Sequence, residues 1–313
     1  MIYYEWCKDY LYGTPIFGKE ILRCLVENEY NVIGVVSQPD KKVGRKQIVT
    51  ACPVKEYALQ QGIKVLQPYK IKDDFQDILD LNADLIITCA YGQIIPDEIL
   101  KAPRLGCINV HASLLPKLRG GAPIQRSIIN GYDKTGITIM EMVSKMDAGD
   151  IISQKEIEIS INDTYSSLHD KLIKVATSLL IETLPSVIEG SYIAIKQKQQ
   201  EVTYAFNITK EEEHIDLTKS YLQVYNHIRG LSDDPCCYGI IDNKKVKLHT
   251  VEITDKCYEK ENGTIIFENN GLGIVIDGRL LLVKKLQLEG RNLCSAIDAR
   301  NGAARNWEGK VMC

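Results

Sequence analysis

Residues 83–90 read ADLIITCA, and residues 105–110 read LGCINV. Each is a short apolar run with no alternation of polar and apolar positions, the pattern of a strand covered on both faces, as in a parallel sheet. The neighbouring segments agree. Upstream, Phe17, Ile21, Leu22, Leu25 and Val26 fall on one face of a helix over residues 16–28, and the apolar run 32–36 (VIGVV) follows as a strand. Pro53 opens a second helix, and Val65 and Leu66 mark a short strand. Downstream, residues 123–130 read as a helix and residues 136–142 as a strand. Strands alternating with helices imply crossover units, hence an α/β fold built on a Rossmann-like parallel sheet.

Beyond Asp163 the apolar residues Leu168, Leu172, Val175, Ala176, Leu179 and Leu180 form a continuous stripe, so a long helix is expected there, closed by Gly190. The polar stretch KQKQQE at 196–201 has no periodicity and reads as linker, after which residues 210–229 look helical. The segments VKLHTVEI, GTIIFE, LGIVID and LLLVKKLQL then succeed one another between Gly, Asn and Asp, predicting a small antiparallel β-barrel (OB-like) or sandwich. Gly271 and Gly273 lie between strand-like runs and not before a helix, so they are read as a turn and not as a dinucleotide site. The expected organisation is a first domain over 1–190, a linker over 191–206 and a second domain over 207–313. A chain of 313 residues is long enough for two cores.

Apolar residues make up 45% and charged residues 25% of the chain, which excludes disordered, collagenous and coiled-coil classes. A net charge of −3 gives no global basic field, so any nucleic-acid contact has to come from a local patch. Residues 1–13 carry Glu5, Lys8 and Asp9 and do not read as a signal peptide, and no run of apolar residues is long enough to span a membrane. The protein is therefore expected in the cytoplasm, its ten scattered cysteines reduced.

Chemistry concentrates at Cys107-Ile108-Asn109-Val110-His111-Ala112-Ser113-Leu114-Leu115-Pro116. Two residues apart on a strand, Asn109 and His111 share a face, and the carboxyl end of a parallel strand looks into the crevice where open α/β sheets bind ligands. An amide donor beside an imidazole suits acyl transfer: Asn109 to an oxyanion, His111 to proton movement. Met146-Asp147-Ala148-Gly149-Asp150 puts a carboxylate in a loop after the strand at 136–142, where Asp147 can orient the imidazole if the two strands are neighbours. Two further loops, Leu118-Arg119-Gly120-Gly121-Ala122-Pro123 and Ala90-Tyr91-Gly92-Gln93-Ile94-Ile95-Pro96, converge on the same edge. A lone N-x-H at a strand end is more often structural, and these loops are what raise it above that. The remaining histidines form no metal-spaced cluster, so no metal is expected.

With these motifs, and with SQPD at 37–40 and the closing ARNWEGKV, the sequence resembles the folate-dependent formyltransferase family over nearly its whole length, in particular the branch that formylates methionyl-tRNA. The resemblance implies catalytic roles for Asn109, His111 and Asp147. It further implies 10-formyltetrahydrofolate as formyl donor, contacts from Ser113, Leu114, Leu115 and Pro116 to the folate, and a pterin pocket lined by Tyr91, Gly92, Ile94 and Ile95. The basic stretch Lys41, Lys42, Arg45 and Lys46, by itself an ordinary solvated loop, corresponds to the loop that grips the acceptor arm of the initiator methionyl-tRNA, and the second domain would add backbone contacts. A monomer is expected.

Two stretches depart from the family pattern. Where a compact apolar first strand is expected, residues 3–12 read YYEWCKDYLY, which would bring Lys8 and Asp9 into the core. This end is expected to be frayed, shifted in register or a misread start, with a domain less stable than its relatives. Asp233-Asp234-Pro235-Cys236-Cys237 puts acidic charge in a domain expected to touch RNA. Two other readings stay open: a formyltransferase acting on a sugar-nucleotide amine, which would not need the basic stretch, and a non-catalytic folate- or RNA-binding relative.

Overall fold

A computed structural model describes residues 7–44, 46–269 and 271–313. By contacts the chain divides into two compact units: residues up to Pro123 with Thr135–Ile157 and Asp170–Phe206, and Ile124–Lys134 with Glu158–His169 and Asn207–Cys313.

The first unit is built on a sheet whose strands come in order along the chain as β1 (Asp9–Gly13), β2 (Val32–Val36), β5 (Lys64–Leu66), β6 (Leu85–Cys89), β7 (Cys107–His111), β8 (Lys134–Glu141) and β9 (Ile151–Glu158). Between them in the chain run α1 (Ile16–Glu27), α2 (Pro53–Gln60), α3 (Gln76–Leu79) and α4 (Asp97–Leu100), then α5 (Pro123–Ile129), which from Ile124 on belongs to the second unit, and after β9 α6 (Tyr165–Glu189), which belongs to the first unit from Asp170. A separate two-stranded hairpin is formed by β3 (Lys41–Val43) and β4 (Ile48–Thr50). Across the sheet the order is β5-β2-β1-β6-β7-β8-β9. The pairs β5/β2, β2/β1, β1/β6 and β6/β7 are parallel, as the apolar runs require, and every residue of β1 and β6 is buried. The chain winds outward from β1 to β2 and β5, then returns to place β6 on the other side of β1. That reversal opens a crevice at the carboxyl ends of β1 and β6.

Four expectations are corrected. The first concerns strand direction: β8 runs antiparallel to β7, with His111 opposite Thr138 and Ile108 opposite Glu141. Residues 112–133 do not carry the chain back to the amino ends of the strands, so β8 enters beside His111 and travels the other way.

The second concerns the atypical first strand, which forms in the middle of the sheet. Tyr10, Leu11 and Tyr12 pair with Gly34, Val35 and Val36 on one side and with Ile86, Ile87 and Thr88 on the other. Lys8 stays exposed, with its backbone tied to Asp84 on β6's leading turn, but Asp9 is fully buried. Among the described residues, only the Cys7 thiol is in hydrogen-bonding distance of its carboxylate, at 3.4 Å, and Oδ2 has no partner. Burial pushes the carboxyl up to about 7, reinforced by the nearby negative charge of Asp84. The expected conflict therefore lands on one residue, Asp9; residues 1–6 of the anticipated irregular end lie outside the described ones.

The third correction is in the second unit. Helix α7 covers only Tyr221–Gly230, not the whole of 210–229. Local turn chemistry prevails before it: Asp216 accepts from the backbone and hydroxyl of Thr218, and the Gln223 side chain accepts from the Ser220 N–H at 3.1 Å to start the helix there.

After α7 come β10 (Tyr238–Ile241), β11 (Lys244–Cys257), β12 (Ile265–Glu268), β13 (Gly271–Ile276), β14 (Arg279–Leu288), β15 (Leu293–Ser295) and α8 (Ala296–Asn301). The strands form an antiparallel sheet ordered β10-β11-β14-β13-β12, with β15 also on β14. The terminal segment links its two edges. Cys313 exchanges backbone hydrogen bonds with Ile240 on β10, and Lys310 and Gly309 bond Ile265 on β12, so the sheet closes into a barrel. Its core holds Val246, Leu248, Ile274, Leu281, Val283 and Leu286 together with Tyr221, Val224, Tyr225 and Ile228 of α7. The fourth correction is that Gly271 and Gly273 lie within β13 and not in a turn; Val283 O sits where a Cβ at Gly271 would be, 2.6 Å away.

Among the described residues no helix is long and apolar enough to cross a membrane.

Candidate active site

Strand β7 delivers Asn109 and His111 side by side. Asn109 sits opposite Thr88 on β6 and Met140 on β8, and His111 opposite Thr138. The Thr88 hydroxyl lies 2.8 Å from Asn109 Oδ1, which orients the amide so that Nδ2 faces Asp147 Oδ1 at 3.3 Å. His111 is 6% exposed. Its Nε2 lies 3.0 Å from the Leu118 carbonyl, and its Nδ1 3.7 Å from Asp147 Oδ1. A carbonyl can only accept, so Nε2 carries a hydrogen and Nδ1 is the nitrogen on the side of the carboxylate.

Asp147 reaches this position because residues 142–150 double back over the end of β8, where Glu141 N–H donates to Asp150 O at 2.9 Å. The fold-back is tight: a Cβ on Gly149 would fall 1.8 Å from Glu141 O, so only glycine fits. Asp147 itself has φ +48°, a conformation unusual for a side-chain-bearing residue. Its second oxygen accepts from the Gly120 N–H at 2.8 Å. Gly120 (φ +123°) passes so close to Ala205 O that a Cβ there would lie 2.7 Å away, which explains the glycine after Arg119.

The structure thus brings Asn109, His111 and Asp147 together: Asp147 is hydrogen-bonded to Asn109 and lies 3.7 Å from the His111 ring. The next residues along the chain form a tight, internally bonded turn. Ser113 Oγ donates to Lys117 O at 2.7 Å, Leu115 N–H to Thr138 Oγ1 at 3.1 Å, and Ser113 and Leu115 are buried while Leu114 and Pro116 are half-buried.

At the carboxyl end of β6 the loop 90–96 is tied to its neighbours. Tyr91 O accepts from Thr14 Oγ1 at 3.2 Å and from Gln38 Nε2 at 3.1 Å, and Gln93 Oε1 accepts from Ile71 N–H at 2.9 Å. Tyr91 and Ile95 are buried; Gly92 and Ile94 are exposed, Ile94 at 83%. Gln38 and Asp40 of the SQPD stretch belong to this cluster, since Gln67 donates to both and Lys55 pairs with Asp40 at 2.7 Å. The bonds from Lys55 and Gln67 hold the Asp40 carboxyl below its ordinary range.

The basic stretch is not gathered with these groups. Lys41 and Lys42 are exposed on β3, Lys46 is exposed in the turn, and Arg45 lies outside the described residues. The expected loop is a β-hairpin whose apolar side chains Val43, Ile48 and Val49 are also exposed.

Sequence reasoning missed three residues of the site. Thr88, read only as part of an apolar strand, orients Asn109. Arg119, quoted only for its loop, is fully buried and bonds Gln197 Oε1 through Nε (3.0 Å) and Nη2 (2.7 Å). Gln197, read as linker, in turn donates to Asp147 O at 2.9 Å and Gly149 O at 2.7 Å. Among the described residues there is no cluster of three or more His, Cys, Asp or Glu able to hold a metal ion.

A parallel sheet with an amide, an imidazole and a carboxylate converging beside its central strands, followed by a closed barrel, defines the class. The chain belongs to the formyl transferase family: the formyl transferase domain matches residues 10–184, and the formyl transferase C-terminal domain matches residues 207–304. Among named relatives, the methionyl-tRNA formyltransferase of Bacillus cereus (strain AH187) is 50% identical over 280 residues, covering 88% of this chain and 89% of the relative. The methionyl-tRNA formyltransferase of Bacillus anthracis (strain CDC 684 / NRRL 3495) matches to the same extent. Two solved structures share the fold. They are an N-formyltransferase from Helicobacter canadensis in complex with folinic acid and dTDP-3-aminofucose (TM-score 0.69, 21% identity, 88% of this chain and 98% of that one) and HypX from Aquifex aeolicus in complex with tetrahydrofolic acid (TM-score 0.67, 15% identity, 97% and 48%).

Proposed function

We propose that this chain transfers the formyl group of 10-formyltetrahydrofolate to the amino group of methionyl-tRNA, the initiator species, acting as a monomer in the cytoplasm. The observation that carries the chemistry is the convergence of Asn109, His111 and Asp147: a carboxylate 3.3 Å from an amide donor and 3.7 Å from an imidazole that is largely shielded from water. Half-identity to methionyl-tRNA formyltransferases over most of both chains supports the acceptor.

In this mechanism the amine attacks the formyl carbon and the carbonyl electrons move onto oxygen. Asn109 Nδ2 has two hydrogens; one points to Asp147 and the other is free to donate to that oxyanion. His111 takes the proton lost by the attacking amine and returns one to the departing folate nitrogen as the tetrahedral intermediate collapses. With Nε2 committed to the Leu118 carbonyl, Nδ1 is the nitrogen left to take the proton, and the imidazolium that forms lies against Asp147 and is stabilised there. Thr88 keeps the Asn109 amide from turning over.

Ser113, Leu114, Leu115 and Pro116 are assigned to the folate, with Tyr91, Gly92, Ile94 and Ile95 lining the pterin pocket. The bonds that tie both turns down support this, because they present fixed backbone groups to a flat ring. Lys41, Lys42, Arg45 and Lys46 are assigned to phosphates of the acceptor arm; a short exposed hairpin is a shape that can follow an RNA groove. In domain terms the catalytic part is assigned to 1–190, the linker to 191–206 and the RNA-contacting barrel to 207–313.

The test is to incubate the chain with 10-formyltetrahydrofolate and either charged initiator tRNA or a sugar-nucleotide amine. Formylmethionyl-tRNA as product is the expected result. Formylation of the sugar amine alone would replace this reading, and binding of folate and tRNA without turnover would reduce the chain to a binding protein.

A further inference from the structure

Gln197 is 7% exposed although it sits in the polar run KQKQQE, and every hydrogen-bonding group of its side chain is used. Its two amide hydrogens go to the carbonyls of Asp147 and Gly149, at 2.9 and 2.7 Å, and its oxygen receives both Nε and Nη2 of Arg119. Arg119 is fully buried, has no carboxylate partner among the described residues, and leaves Nη1 unpaired. Its backbone is also fixed, its N–H donating to Thr203 O (2.9 Å) and its carbonyl accepting from Ala205 N–H (2.7 Å). A buried cation without a counter-ion is costly, and a neutral amide is a weaker partner for a guanidinium than a carboxylate would be. An arrangement selected for stability alone would place Glu at 197. What Glu cannot do is donate to two carbonyls.

We propose that Arg119 and Gln197 are a positioning pair for the transfer reaction: Gln197, held by the Arg119 fork, grips the backbone on both sides of Ala148 and so fixes the Asp147 carboxylate against His111 and Asn109. The inference rests on the formyl-transfer reading of the site. It follows from the geometry of Asp147, whose φ of +48° has to be maintained by bonds to its own peptide groups. The Gly120 N–H fixes the carboxylate end and Gln197 fixes the backbone end.

The decisive variant is Gln197→Glu in the full chain. A carboxylate at 197 still receives the Arg119 fork and gives the cation a counter-ion, so the melting temperature is expected to equal or exceed that of the parent. It offers no hydrogens to Asp147 O and Gly149 O and repels both, so the loop shifts. Displacing a reacting group by about 1 Å costs on the order of 10²-fold in rate, and kcat for formyl transfer is expected to fall by about 10- to 100-fold, with KM for the folate changed by less than about 3-fold. Gln197→Met, which fills the space without donors or a good acceptor, should show the same fall in kcat together with a lower melting temperature.

A Gln197→Glu enzyme with kcat within about 2-fold of the parent would overturn the proposal. So would a loss of activity matched by an equal loss of folded protein, since that marks a merely structural residue. The parent assayed alongside separates the two levels of the argument: an inactive parent removes the formyl-transfer reading itself, whereas an active parent with an equally active Gln197→Glu variant removes this inference alone.

Discussion

Replacing Asp9 by Asn should change how the stability of this protein depends on pH, and both the sign and the size follow from where Asp9 sits. Its side chain is fully buried on β1 between β2 and β6, accepts one weak bond from Cys7, and among the described residues leaves Oδ2 unpaired. Burial raises the carboxyl from 3.8 to about 7. Below pH 3.8 the group is protonated in folded and unfolded chains alike and contributes no pH dependence. Between 3.8 and 7 the unfolded chain gives up the proton and the folded chain keeps it, so the unfolded state binds fewer protons and stability falls as pH rises. At 1.36 kcal/mol per unit, a shift of about 3 units removes about 4 kcal/mol between pH 4 and pH 8, a large share of the 5–15 kcal/mol typical of whole proteins. Asn has the same shape, keeps an oxygen for the Cys7 thiol and cannot ionise. Urea denaturation of parent and Asp9→Asn at several pH values gives a difference in which all other titrating groups cancel. The variant is expected to match the parent near pH 4 and to be more stable by several kcal/mol at pH 8. A difference that stays flat from pH 4 to 8, or favours the parent at pH 8, would refute the burial argument.

Thr88→Val keeps the shape of the strand and removes the donor that orients Asn109; leaving a buried acceptor unpaired costs about 1–3 kcal/mol. A loss at the low end of that range, felt in the transition state, lowers kcat by about 10-fold, read by single-turnover formyl transfer with folate affinity measured in parallel. Gly149→Ala cannot be accommodated with its Cβ 1.8 Å from Glu141 O, so the loop carrying Asp147 moves; kcat should drop by about 10²-fold or more, and an unaltered kcat would show that the fold-back is not needed. Tyr12→Phe deletes a hydroxyl that is buried and, among the described residues, unpartnered at the junction of the Tyr10 and Tyr91 rings, and should raise stability by about 1 kcal/mol in the same urea assay.

The parts of the fold that were legible in the sequence are those that a residue pattern encodes directly. The run that became β6 carries apolar side chains on both faces, and only a doubly covered sheet accommodates that. Asn109 and His111 were legible because the two-residue period of a strand fixes their common face. The direction of β8 was not, since strand direction is set by the path of the connecting chain and leaves no trace in the strand's own residues. Residues 210–220 carry good helix formers, yet the Asp216–Thr218 turn and the Ser220–Gln223 cap start the helix later. Thr88 looked like an ordinary β-branched strand residue, and Gln197 like one more polar residue in a linker. Both act through partners distant in the sequence, and only the folded chain shows those partners. Asp9 was visible as a conflict in a strand that should be apolar. The sequence reading expected this end to be frayed, shifted in register or a misread start; the strand forms, with a register shift against β2 between Asp9 and Tyr10, and its surroundings leave the carboxyl protonated to about neutrality.

The central claim is that His111, set between Asn109 and Asp147, moves the proton when a one-carbon unit passes from folate to an amine. It is tested most directly by measuring, for parent and His111→Ala, the single-turnover rate of formyl transfer from saturating 10-formyltetrahydrofolate to methionyl-tRNA, and the dissociation constant for the folate. The rate per bound complex is expected to fall by about 10²- to 10⁴-fold with folate affinity nearly unchanged. A variant that loses folate affinity but transfers at the parent's rate once bound would contradict it.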